Sequence, residues 1–195
     1  PLQFAIMYYT LFQQERRFFM QIVTTFNMTP REYLKNYHTI TINRPEKCPI
    51  CGICHSFYSH GCYWRNIIED LYEERIPVAR FCCKICGQTV SMLPSFALPY
   101  FQYSLEFILK ALNIIFKVAS EHLNSLSALY YFYRRRFFHN INRIEMFFRD
   151  HGCLDASPAE AKEKAIKIIC TLTFPKAETF SQRFLNSYKL NFMAR

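Results

Sequence analysis

Along most of the chain apolar residues recur at helical spacing; between Ser56 and Leu93 they do not. From Met7 to Phe26, the residues Phe12, Phe19, Ile22, Val23 and Phe26 fall near one face, with Arg16 and Arg17 opposite, predicting a helix. Thr29-Pro30-Arg31-Glu32 starts a second, short one. Thr29 can cap, Pro30 suits the first helical position, and Glu32 closes a capping box, with the helix ending near His38. Thr39 to Pro45 reads as a linker. Further on, Ser104 can cap a helix from Leu105 to Phe116, whose stripe is Ile108, Leu109, Leu112, Ile115 and Phe116. Lys117 to Asn124 reads as a turn or a poor short helix.

A longer helix is predicted from Ser125 to Arg149, with Leu126, Leu129, Tyr133, Phe137, Ile141, Ile144 and Phe148 facing inward. Ser157-Pro158-Ala-Glu160 has the form of a capping box, predicting a helix to about Cys170. After Pro175, a last helix is expected from Ala177 to Leu190, burying Phe180, Phe184, Leu185 and Tyr188.

The middle of the chain has a different period. Tyr58, Tyr63, Trp64, Ile67, Ile76 and Val78 are aromatic or branched residues that suit a pleated surface. They predict strands over Ser56 to Ile68 and Arg75 to Cys83, joined by the acidic turn Glu69 to Glu74, and a third strand from Gln88 to Leu93. Leu93-Pro-Ser-Phe-Ala-Leu-Pro99 is a double-proline connector that cannot be regular helix. The fold class that follows is α+β: a small β unit, a hairpin with a third strand, embedded in a mainly helical protein. Four segments are expected: helical 1–43, the β unit with its connector 44–100, helical 101–152, and a helical pair 153–195.

Composition narrows the function. Of 195 residues, 51% are hydrophobic, enough for a packed core, and the net charge of +9 favours an anionic partner. No run of about 18 apolar residues occurs, so no membrane span is expected. The excess charge is localised. Between Ser127 and Arg149 stand five arginines and one acid, Glu145, whereas Arg44 to Tyr100 holds six basic and five acidic residues. Arg134-Arg135-Arg136 sweeps about 200° of helix surface, so at least one of them must face solvent or a ligand. Arg134, Arg135, Arg136, His139, Asn140 and Arg143 are therefore the candidate nucleic-acid contacts, with Arg65 and Arg80 of the β unit as secondary positions. The chain begins at Pro1, the start expected of a fragment or of a chain without its initiator.

The candidate chemistry lies in the nine cysteines. Cys48-Pro-Ile-Cys51-Gly52 and Cys83-Lys-Ile-Cys86-Gly87 are C-x-x-C turns, each followed by a glycine able to supply a positive φ. Two such turns brought together by a hairpin make a tetrahedral sulfur cage of the structural-zinc type, with Zn–S near 2.3 Å and no open position. One structural Zn²⁺ held by Cys48, Cys51, Cys83 and Cys86 is the expectation. Cys83 is preferred to Cys82 because only Cys83 has the right spacing to Cys86. Cys54, Cys62 and Cys82 read as small buried apolar residues, and His55 and His60 remain possible further ligands. Paired C-x-x-C turns and an odd cysteine count fit a reducing compartment, so a cytoplasmic protein with Cys54, Cys62, Cys82, Cys153 and Cys170 as free thiols is expected.

The stretch from Cys48 to Tyr100 resembles a bacterial zinc-ribbon family of unassigned function that occurs with insertion-sequence transposases. The likeness rests on Cys48-Pro-x-Cys51-Gly52, His60-Gly61-x-Tyr63-x-Arg65, Ile76-Pro77-Val78-x-Arg80 and, above all, Cys83-Lys84-x-Cys86-Gly87 through Leu93-Pro94-Ser95-Phe96 to Tyr100. It extends upstream to Arg31-Glu-Tyr-Leu34 and downstream to about Asp150. Similar ribbons stand in front of a DNA-binding helix-turn-helix in several transposases. The resemblance implies DNA binding as an accessory of a mobile element, with a transposase or nuclease as partner. The helices Leu105–Phe116 and Ser125–Arg149 would be the helix-turn-helix. RNA binding, through aromatics interleaved with arginines in Tyr130 to His139, and a protein–protein adaptor are the alternatives. No Gly-rich phosphate loop is present, and the acids cluster in the hairpin turn and at helix starts, so no enzyme is expected. A Cys153–His151 pair is explained equally well by a helix-end loop.

Overall fold

The computed structural model describes residues 20–117, 128–151, 158, 160–172 and 176–195. Its fold is α+β, with a four-stranded mixed sheet and five helices among the described residues. In chain order they are β1 (Met20–Thr24), α1 (Pro30–Asn36), β2 (Phe57–Ile68), β3 (Glu73–Cys83), β4 (Thr89–Pro94), α2 (Leu105–Lys117), α3 (Ala128–Asp150), α4 (Ala161–Thr171) and α5 (Lys176–Tyr188). The strand order is β1-β4-β3-β2. β2 and β3 form the expected hairpin, paired from Phe57↔Cys83 to Ile68↔Glu73. Its register shifts between Ser59 and Cys62, where Gly61 takes φ +75° and supplies the extra residue of a bulge. The turn is tighter than expected: Glu69 N–H donates to the Tyr72 carbonyl at 2.8 Å, leaving Glu73 and Glu74 in β3.

The first helix needs correction. Met20–Thr24 is a strand, running parallel to β4 from Met20↔Val90 to Thr24↔Pro94. The branched residues Ile22, Val23 and Thr24 suit a ladder, and the partner strand settles the choice that helical spacing alone had favoured. The earlier part of that expected helix, 7–19, lies outside the described residues. Alternation along the strands divides the sheet into two faces. On one, Val23, Val78, Ile76, Ile67 and Leu93 pack with Tyr33 of α1 and Phe96 of the connector. On the other, Phe57, Phe81, Val90 and Met92 pack with Cys48 and Cys83. α1 starts with the expected capping box: Thr29 N–H donates to the Glu32 carboxylate at 2.8 Å, and Glu32 N–H to the Thr29 hydroxyl at 3.3 Å.

The helices make a separate core. α2 and α3 pack through Leu112, Phe116 and Phe137, and α5 adds Phe180 and Phe184. Glu145, buried on α3, is paired with Arg149 at 2.9 Å and with Lys164 of α4 at 2.6 Å, which ties the two helices together. α4 begins at Ala161 with Glu160 at its N-cap and no side-chain cap, so Pro158 precedes the helix rather than opening it; Ser157 lies outside the described residues. In α5, Leu185 and Tyr188 are half-buried rather than buried. The segment joining α2 to α3, where a helix-turn-helix would turn, lies outside the described residues.

Sheet and helices meet at a buried carboxyl. The Ser95 hydroxyl donates to Glu178 of α5, and Gln182 Nε2 donates to the Val23 carbonyl at 2.8 Å. Burial pushes Glu178 above the ordinary carboxylate range; the Ser95 hydroxyl opposes the shift, and the Glu106 charge adds to it. A carboxyl raised on folding contributes stability that is present below its unfolded-state pKa and lost as pH rises through its folded-state one. Glu178→Gln keeps an acceptor for Ser95 and removes that loss. The variant is expected to be more stable than the parent at about pH 7, with the advantage shrinking as pH falls through the raised value. Paired urea midpoints at each pH check this, and a variant less stable than its parent at neutral pH would refute it.

Candidate metal centre and basic helix

Two loops of the same design hold the four cysteines. In the first, Cys48 N–H donates to the Ile53 carbonyl at 2.9 Å and Gly52 N–H to the Cys48 carbonyl at 2.8 Å. In the second, Cys83 N–H donates to Gln88 and Gly87 N–H to Cys83, both at 2.9 Å. Gly52 and Gly87 sit at φ +75° and +68°, the left-handed region that each turn requires. The hairpin brings the loops together, because Phe57 pairs with Cys83 and Lys84 N–H donates to the Ser56 carbonyl at 2.8 Å.

The ligand atoms of Cys48, Cys51, Cys83 and Cys86 all lie within 4.8 Å of one another. Cys48 and Cys86 sulfurs are 3.7 Å apart, as are those of Cys51 and Cys83. A tetrahedron with metal–sulfur bonds of about 2.3 Å has edges of about 3.8 Å, so the cage has the size of a tetrahedral thiolate site. The group can hold a metal ion. Its thiols are not equivalent. The Cys86 N–H foremost, and then the Ser56 hydroxyl 3.1 Å away, bring Cys83 down to about 6. Burial pushes Cys86 up to about 12. Four sulfurs this close cannot all ionise unaided, and a cation at their centre would replace the protons that otherwise keep them apart. Ser56 is the contributor that the cysteine spacing did not reveal; its only sequence signal is a polar residue directly before a strand.

The remaining cysteines divide. Cys82 is buried, as expected, with its thiol 3.5 Å from the Gly87 carbonyl. Cys54 and Cys62 are exposed instead, Cys54 because it sits in the loop that closes the first turn and Cys62 because it leaves the bulge of an edge strand. The described cysteines form no disulfide, and Cys153 lies outside the described residues. His55 and His60 are exposed and not in the metal-sized group; the His60 ring meets Tyr58 edge-on at 6.1 Å.

The arginines are placed unevenly. Arg135 and His139 of α3 are exposed. Arg134 is half-buried over the Phe138 ring at 5.5 Å, and Arg136 over Phe132 at 4.9 Å. Asn140 is buried, donating to the Arg136 carbonyl at 3.0 Å and the Ala194 carbonyl at 2.6 Å, while Arg143 donates to Asn140 at 2.9 Å. Arg65 donates to the carbonyls of Leu98, at 2.6 Å, and of Phe101. Arg80 is half-buried, its Nε without a partner. Asn140 and Arg65 thus spend their hydrogen bonds inside the fold. Arg135 and His139 face outward on one stripe with Tyr131, Asn142, Met146 and Arg149, over roughly 27 Å of helix.

A family model described as a domain of unknown function, DUF6431, matches residues 48–128. The match takes in all four cysteines, the sheet from β2 to β4, the connector and α2, and ends where α3 begins. No curated protein and no solved structure matches the chain.

Proposed function

We propose that this is a non-catalytic zinc-ribbon protein that binds nucleic acid, DNA ahead of RNA, as an accessory to the transposase or nuclease of a mobile element. The sulfur cage is the reason to assign zinc, since a tetrahedral S₄ shell is filled and leaves no position for a substrate. Zinc there would hold the ends of the hairpin together, and its work would be structural.

The observation that carries the binding reading is the outer stripe of α3. From Tyr131 to Arg149 its exposed positions contain no carboxylate; the one acid in that span, Glu145, is buried at the flank of the stripe and pairs with Arg149, which leaves Arg135 as the exposed arginine outside that pair. The acids gather elsewhere: Glu32, Glu69, Asp70, Glu106 and Glu178 line a single cleft of about 620 Å³ with Lys110. A positive rod separated from an acidic cleft favours a polyanion lying along α3. No helix among the described residues is long and apolar enough to cross a membrane.

Binding to duplex DNA, single strands and structured RNA at one salt concentration tests the reading and ranks the alternatives. Arg135→Ala is expected to weaken binding across sequences and to reduce the salt slope by about one. Metal content and thermal midpoint should not change. A variant that loses thermal stability but keeps its salt slope would remove α3 from the interface.

A further inference from the structure

The segment between the connector and α2 encloses, with α3, a second cleft of about 330 Å³. Its walls are aromatic: Tyr100, Phe101 and Tyr103 from that segment, Phe132 and Tyr133 from α3. Phe101 and Phe132 have ring centroids 6.0 Å apart, and Tyr103 and Tyr133 6.2 Å. Arg136 also lines the cleft, its guanidinium over the Phe132 ring. Two of the rings remain open to solvent, Tyr100 at 80% and Phe132 at 41%.

These walls are held by polar side chains, Arg65 half-buried and Asn140 and Asn191 buried. Arg65 reaches across from β2 to the Leu98 and Phe101 carbonyls. Asn191 donates to the Pro99 carbonyl at 2.9 Å, and Asn140 to the Ala194 carbonyl beside it. Between these anchors Tyr100 adopts φ +69°, a left-handed conformation that costs a bulky residue energy and is kept only where its surroundings impose it. The strained residue is the one whose ring is most exposed at the mouth of the cleft.

Aromatic faces open to solvent beside one cation suit a ligand that is flat, apolar on its faces and tethered to an anion. We infer that this cleft receives one unstacked nucleobase of the bound strand, against the rings of Tyr100 and Phe132, with Arg136 at the flanking phosphate. The inference rests on the nucleic-acid reading above and deepens it: α3 would hold the backbone through Arg135 while the cleft takes a base out of the stack. A volume of this size falls at the small end of ligand pockets, and stacking on aromatics is tolerant of sequence.

The test uses the full chain and two duplexes that differ only in one fluorescent adenine analogue, paired in the first and bulged out in the second. Wild type is expected to bind the bulged probe more tightly, with a change in its fluorescence as the base stacks. Tyr100→Ala and Phe132→Ala, both at exposed rings, should each reduce that preference by about tenfold, because loss of a stacking partner weakens single-base contacts on that order. Affinity for the paired probe and the salt slope should stay as they were. Equal binding of both probes by wild type, or a preference unchanged in both variants, overturns the cleft assignment and leaves the nucleic-acid reading standing. Failure to bind either probe, single strands or structured RNA overturns both.

Discussion

Protein with Cys51→Ser or Cys86→Ser is expected to emerge without metal and with its sheet disordered at the cage end. Wild type should carry one zinc per chain. A four-sulfur site cannot lose one ligand gently, because the remaining thiolates crowd within 4.8 Å and lose the cation that compensates them. The cage also closes the local core in which Cys48 and Cys83 pack against Phe57, Phe81 and Val90, so metal release and loss of packing should coincide. Structural zinc sites contribute on the order of 10 kcal/mol in small zinc modules, comparable to the roughly 5–15 kcal/mol by which a whole domain is stable. Metal analysis and circular dichroism before and after chelation give the readout. Cys82→Ser serves as the control, since its thiol faces the Gly87 carbonyl and should leave zinc in place. Loss of zinc in Cys82→Ser with retention in Cys83→Ser would reverse the assignment. A coloured protein carrying iron would keep the geometry and change the metal.

Phe184→Ala is expected to cost about 3–5 kcal/mol, the range for deleting a fully enclosed ring. Phe184 has no exposed surface and lies within 5.6 Å of the ring centroids of Phe147, Phe180 and Tyr188. Those neighbours come from two helices, and the stacked pair Phe148–Phe180, at 5.0 Å, backs them. Refilling the void would require several rings to move together, which is the situation in which cavities stay open. Urea unfolding would show the loss, and a change below about 1 kcal/mol would mean that the aromatic cluster relaxes freely. Zinc content measured on the folded variant separates damage to the helical core from damage to the cage.

What could be read from the sequence was what depends on near neighbours. A C-x-x-C-G turn is built within five residues, so both halves of the cage were visible, and the branched residues between them announced a hairpin. The capping box at Thr29 and Glu32 is equally local. β1 was not visible, because its partner β4 lies far along the chain and Met20 to Thr24 carries enough apolar residues to satisfy either period. The arginines show the same divide. Charge density on α3 could be counted, but nothing nearby in sequence says that Arg65 will meet the Leu98 carbonyl or that Asn140 will be claimed by Ala194. Those carbonyls belong to a connector and a tail whose positions only the folded chain defines. The exposure of Cys54 and Cys62 was hidden for a related reason: cysteine is usually buried, and only the loop and the bulge reveal these two.

The parallel pairing of β1 with β4 has a practical consequence for dissecting this protein. Motif boundaries invite a cut at Arg44, which would free the zinc ribbon from everything before it. Such a cut removes the strand that covers Val90 to Pro94 and the helix that lays Tyr33 on Val78 and Leu93. What remains is a sheet with a bare backbone edge beside an uncovered apolar face, a template on which a second molecule can add its own strand. The excised ribbon should therefore bind zinc and still precipitate or form oligomers, and its insolubility would reflect where the scissors fell rather than a failure to fold.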